Sequence, residues 1–187
     1  MRLSAHRALG IPPLILLTDD TRLPDPVAAA TALPKGAMVI VRAKEAGRRE
    51  MLALALREIA RRRGLFLLIA GDAALARKIG ADGVHLPQAR IGEAAGLKAR
   101  WPEVIVTASA HDFGAGIRAG AVDALLLSAV FPTQSHPGRG VLGAARANLM
   151  AAQMPLPVYA LGGVSAENAD LLYGFSGIAA IGALSNS

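Results

Sequence analysis

Ile79-Gly80-Ala81-Asp82-Gly83-Val84 and Ala119-Gly120-Ala121-Val122-Asp123-Ala124 are two versions of one phrase. Each reads as the end of a helix, a tight turn at glycine and the first residues of a strand. A chain that repeats this phrase builds parallel strands joined by crossover helices. Outward from it, eight strand candidates follow at 14–18, 38–42, 65–70, 83–86, 104–109, 124–130, 158–161 and 178–183. Most are continuous apolar runs, as expected of strands covered on both faces. Helical segments are expected at 48–63, 73–79, 91–99, 114–119, 144–153 and 166–173. Gly64, Gly80, Gly120 and Gly174 are placed to end helices in a left-handed conformation. Ser165, with Asn168 three residues on, is placed to cap the start of one without a full capping box. Eight alternations predict an α/β fold, a closed (β/α)8 TIM barrel, over the alternative of an open sheet. No Gly-rich dinucleotide fingerprint follows the first strand. The sequence stops after the eighth strand, so the barrel is expected to lack its last helix.

The 187 residues are expected to form a single domain, 1–187. A composition of 53% hydrophobic and 4% aromatic residues suits a parallel α/β protein. The absence of cysteine excludes disulfides, thiolate metal sites and a cysteine nucleophile. No apolar run reaches the ~20 residues that span a bilayer, and the first residues make a poor signal peptide. The expectation is a cytoplasmic protein with no membrane partner. The net charge of +6 owes much to Arg48, Arg49, Arg57, Arg61, Arg62 and Arg63, interleaved with Glu50 and Glu58. They fall on the polar side of a helix whose apolar side is read as Leu52, Ala55, Leu56 and Ile59. No aromatic platform accompanies the arginines, so a solvated face and no nucleic-acid partner are expected. The positive balance favours phosphorylated substrates by steering.

In a barrel of this kind the reacting groups belong at the C-terminal ends of the strands. Arg42 and Lys44 follow the second strand and are placed to clamp phosphate, or to pair with Glu45 or Asp20. His111 follows the fifth strand, two residues after Ser109, as a loop histidine or an acid/base near neutral pH. Thr133, Ser135 and His136 follow the sixth; the two hydroxyls can face one anion or bond their own turn. Gly162-Gly163 and Gly182-Ala183 end the seventh and eighth, where backbone amides can cradle phosphate. His85 lies inside the fourth strand and reads as a packed, hydrogen-bonded barrel histidine.

Taken in order, Ala81-Asp82-Gly83-Val84-His85-Leu86, Ala108-Ser109-Ala110-His111, Phe131-Pro132-Thr133-Gln134-Ser135 and Leu161-Gly162-Gly163-Val164 resemble thiamine phosphate synthase and its relative, the TenI-type thiazole tautomerase. The resemblance runs from Leu14 to Leu184. It implies a thiazole phosphate held by Thr133, Ser135 and His136, which stand where the synthase has Thr, Thr and Lys. It likewise implies that the two glycine loops take the phosphate, with Gly182 in place of a usual serine. Arg42 and Lys44 match the synthase's Gln-x-Arg-x-Lys, with Ile40 replacing the glutamine. His111 matches the histidine taken as the tautomerase acid/base, and Gly138-Arg139-Gly140 resembles the tautomerase loop. Two positions depart from the synthase. Its Asn-Asp-Arg is here Ala70-Gly71-Asp72, and its Gln-x-Asp is Gln88-Ala89-Arg90. Magnesium takes oxygen ligands, typically carboxylates with substrate phosphates, so no metal and no cofactor are expected. The expected function is a metal-independent thiazole tautomerase acting on a small phosphorylated thiazole, with a homo-oligomer left open. The alternatives are a divergent, magnesium-dependent synthase joining hydroxymethylpyrimidine diphosphate to thiazole phosphate, and a non-catalytic phosphate-ligand-binding barrel.

Overall fold

A computed structural model describes residues 12–133 and 140–181. Strands β1 (Leu14–Leu17), β2 (Met38–Val41), β3 (Phe66–Ala70), β4 (Gly83–Leu86), β5 (Ile105–Ala110), β6 (Ala124–Leu127), β7 (Val158–Leu161) and β8 (Gly177–Ala180) are all parallel. They pair in sequence order, and β8 pairs with β1 to close the barrel. Helices α1 (Pro26–Ala32), α2 (Ala46–Arg63), α3 (Ala73–Lys78), α4 (Glu93–Arg100), α5 (Phe113–Arg118) and α6 (Ala144–Gln153) occupy the crossovers. The fold is the expected (β/α)8 barrel.

Alternation along the strands divides the core into two layers. Ile15, Leu17, Met38, Ile40, Leu68, Leu126 and Tyr159 belong to one buried cluster, inside the barrel. Their neighbours Leu16, Val39, Val41, Leu67, Ile69 and Val84 belong to a second, between barrel and helices. The apolar runs are continuous because both faces are covered.

The repeated phrase has a structural cause. Asp82 donates its backbone N–H to the Leu67 carbonyl, and its carboxylate accepts the Leu67 N–H, each at 2.8 Å. Asp123 does the same with Val106, again at 2.8 Å, and also holds the Lys98 ammonium. Each aspartate therefore clips the start of its strand onto the preceding strand. Gly83 is required beside the first clip: a Cβ there would lie 2.0 Å from the Ile105 carbonyl oxygen.

Several expectations need correction. The segment 166–173 is not a helix; only a 3-10 turn, Ala169–Leu171, forms there. Buried Asn148 on α6 donates to the Leu171 carbonyl at 2.7 Å and accepts the Gly174 N–H at 3.1 Å. Asn148 thereby anchors the end of this segment to α6 and takes the Gly174 N–H that would have closed the last turn of a helix onto the Asp170 carbonyl. Ser165 is not a side-chain cap: its hydroxyl bonds Glu167, while Asn168 accepts the Ser165 N–H and donates to the Gly163 carbonyl. Gly64 and Gly80 adopt the left-handed conformation, but Gly120 and Gly174 do not. On α2 the inward face is Ala53, Leu56, Ile59 and Ala60, and Ala55 is exposed. Arg49 turns inward from the basic face, with its side chain 19% exposed beside Asp72. Helix α1 was missed, although Asp25 caps it and Pro26 opens it.

Candidate active site

The C-terminal ends of the strands surround a cavity of about 920 Å³. Arg42, Ser109, His111, Thr133, Gly162 and Gly163 all contribute to its wall. Lys44 does not; it is exposed, and its backbone N–H is held by the Asp20 carboxylate at 3.0 Å. Strand β2 ends at Val41, so strand alternation no longer governs where Lys44 points. Ser135, His136, Gly182 and Ala183 lie outside the described residues, as does part of the Gly138-Arg139-Gly140 phrase.

Arg42 is held at the mouth by Asp19, rather than by Asp20 or Glu45. Asp20 instead receives Arg48 at 3.0 Å. Bonds from Arg22, first, and from Thr21 hold the Asp19 carboxyl well below the usual carboxylate range. Two guanidinium groups thus share one permanently charged carboxylate. This arrangement leaves a positive balance at the mouth, suited to an anion.

His111 is fixed from both sides. Its Nδ1 lies 3.0 Å from the Ser128 carbonyl oxygen, which can only accept. The Ser128 hydroxyl, 3.2 Å from the same nitrogen, can take either role, so a neutral ring with its proton on Nδ1 satisfies the carbonyl and leaves the Nε2 lone pair to exchange a proton. The His111 backbone N–H is accepted by Gln88 Oε1 at 2.6 Å, and Gln88 Nε2 donates to Asp112 at 2.6 Å. The Gln88 bond holds the Asp112 carboxyl below its ordinary pKa. Gln88 thereby ties the loop after β4 to the start of α5. Neither Gln88 nor Ser128 was picked out as a site residue. Ser128 falls in the expected strand 124–130 but lies just past the end of β6 at Leu127, and nothing local marks Gln88 as a partner of His111.

His85 has the packed, hydrogen-bonded character expected of it. Nδ1 meets Thr107 Oγ1 at 2.9 Å and Nε2 meets Ser109 Oγ at 3.0 Å. Burial, with a smaller effect from Arg42, pushes its pKa down to about 4. It also reaches the cavity wall, which the sequence reading did not anticipate.

Gly162 and Gly163 have φ of 94° and 66°. A Cβ on Gly163 would lie 2.3 Å from the Pro132 carbonyl oxygen, so only glycine lets the loop after β7 sit against the loop after β6. Asn168 pins this turn through the Gly163 carbonyl at 2.8 Å.

Gly71 and Arg90 stand where the synthase resemblance implies magnesium carboxylates, and they do not fit that ion. Arg90 Nη1 donates to the Gly71 carbonyl at 2.9 Å, so one position is a cation bonded to the other. The remaining Arg90 nitrogens grip both oxygens of Glu93, at 2.6 and 2.7 Å. Asp72 spends one carboxylate oxygen capping α3 through the Leu75 N–H, at 2.9 Å. Both nearby carboxylates are thus engaged by protein groups.

Comparison with known proteins identifies the family. The family model described as thiamine monophosphate synthase, TMP-TENI, matches residues 14–184. The chain belongs to this thiamine-biosynthesis family. Within the TMP-TENI family, the thiamine-phosphate synthase of Chlorobium luteolum is 34% identical over 184 residues, covering 94% of this chain and 86% of the relative. That of Thioalkalivibrio sulfidiphilus is 35% identical over 132 residues, 65% of this chain but 59% of the relative's length. The solved thiamine phosphate pyrophosphorylase of Pyrococcus furiosus superposes with a TM-score of 0.75 at 26% identity, covering 90% of this chain and 84% of that one. No helix among the described residues is long and apolar enough to cross a membrane.

Proposed function

We propose that this TMP-TENI protein is a cytoplasmic single-domain enzyme, a metal-independent tautomerase of a thiazole phosphate. The observation that carries the reading is the Arg90–Gly71 bond, which puts a guanidinium where a synthase would gather magnesium. A synthase expels diphosphate, whose charge a metal offsets. A tautomerase moves a proton and expels nothing, so it needs no such ion.

In this reading the phosphate rests at the mouth near Arg42, Thr133 and the Gly162–Gly163 turn. The ring lies deeper, toward Ser109. His111 Nε2 takes a proton from one ring atom and returns it to another. Its Nδ1–H bond to the Ser128 carbonyl holds the ring in the tautomer that makes this possible. The bond also stabilises the imidazolium formed between the two transfers.

A second reading, a divergent synthase, is favoured by the names of the relatives, which are thiamine-phosphate synthases. The test is to incubate the purified protein with each thiazole phosphate isomer and follow the ring signals by NMR. Conversion of one isomer into the other without added pyrimidine supports the tautomerase. Inert isomers would contradict it.

A further inference from the structure

The proposed proton transfer at His111, which is exposed, leaves a second imidazole unused, and that one is buried. His85 is 5% exposed, yet it forms part of the cavity wall. Thr107, its partner in the β4–β5 register, meets Nδ1; Ser109, the next inward-facing residue of β5, meets Nε2. Ser109 itself reaches the cavity.

A hydroxyl can either donate or accept, so a neutral imidazole between two hydroxyls is satisfied in either tautomer. Apolar residues also line this cavity. Ala70 is the register partner of His85 on β3, and Leu17, Leu161 and Ala179 line the same cavity. An anion placed there would lose its hydration and gain only the lesser effect of Arg42 from the mouth, whereas an uncharged ring would lose little.

We propose that His85 is a positioning residue that aims the Ser109 hydroxyl at an uncharged polar edge of a heteroaromatic ligand, while the ligand's anionic group stays at the mouth. When Nε2 accepts from Ser109, the serine oxygen presents lone pairs and receives a ring N–H. When Nε2 carries the proton, the Ser109 O–H is free to donate to a bare ring nitrogen. One chain of three side chains thus accommodates both protonation patterns of a ring. The inference deepens the proposed function, since a tautomerase must hold two such patterns in turn, but it requires only a heteroaromatic ligand.

Two substitutions separate positioning from packing. The amide of His85→Gln reaches the place of Nε2 and retains a partner for Ser109. That of His85→Asn reaches only the place of Nδ1 and serves Thr107. Affinities of both variants and the wild type are measured by calorimetry for thiazole phosphate, uncharged thiazole and pyrimidine, and inorganic phosphate. Thermal denaturation confirms that each variant folds. We expect His85→Asn to weaken ring ligands at least tenfold, His85→Gln to weaken them less than threefold, and inorganic phosphate to bind all three proteins alike. In the wild type, the ring nitrogen NMR signals of His85 should shift with the ring ligands and stay still with phosphate. Equal losses in both variants, losses shared by phosphate, unmoved His85 signals, or no ring binding by the wild type would each overturn the inference. Ring binding that shifts His85 without isomer conversion contradicts the tautomerase alone; conversion with His85 unmoved contradicts this inference alone.

Discussion

His111 keeps one nitrogen for exchange, whereas His85 has both nitrogens bonded inside the barrel. The two histidines should therefore fail differently. His111→Asn removes the acid/base, so turnover of thiazole phosphate should fall by about 10²–10⁴-fold, with KM nearly unchanged. Steady-state kinetics checks this, and a variant that loses only affinity would assign His111 to binding. His85 predicts a pH effect on stability. Its pKa is about 4 in the folded protein and 6.5 when unperturbed. Above pH ~6.5 both states are neutral and the contribution is whole. Between ~6.5 and ~4 the unfolded chain binds a proton that the folded one refuses, so stability falls with pH by about 3 kcal/mol, then levels off. Urea unfolding at neutral and mildly acidic pH should show this slope in the wild type and a shallower one in His85→Gln. The sequence identified both histidines by position. It could not show that His85 reaches the cavity, because that depends on how far β4 and β5 rise beside each other.

The strands were readable because each is a short apolar run bounded by turn residues. The crossover from β7 to β8 was not, because its decisive contact is long-range: Asn148 on α6 takes the backbone groups of Leu171 and Gly174. Helix α1 is the opposite case, since its local signals, Asp25 and Pro26, stand in the sequence itself. The repeated phrase was legible as a turn, yet the task of its aspartates was not. Asp123→Ala leaves the buried Val106 N–H without its acceptor and takes the carboxylate from Lys98, which keeps the Val104 carbonyl, and should cost about 1–3 kcal/mol, readable as a lower urea midpoint. At the turn after β7, Gly163→Asp adds a side chain 2.3 Å from the Pro132 carbonyl and a negative charge beside the expected phosphate. Phosphate binding by calorimetry should disappear, and unchanged affinity would move the cradle elsewhere.

Across the whole molecule, closure of the barrel gathers Arg42, Ser109, His111, Thr133 and the glycine turn at one cavity, although the sequence holds them at the ends of four different strands. That convergence was legible, because the C-terminal ends of barrel strands always share one face. Lys44 shows the limit: past the end of a strand, alternation no longer predicts direction. The mismatch at Gly71 and Arg90 was also visible in the sequence, but the bond between them was not, since it spans the ends of β3 and β4. The central claim is that this family member acts without magnesium. Its most direct test gives the purified protein thiazole phosphate isomers and the pyrimidine diphosphate, in chelator or in excess magnesium, and quantifies ring isomers and released diphosphate together. The account predicts isomer conversion at the same rate in both conditions, with no diphosphate released. Magnesium-dependent release of diphosphate, with formation of the coupled product, would contradict it.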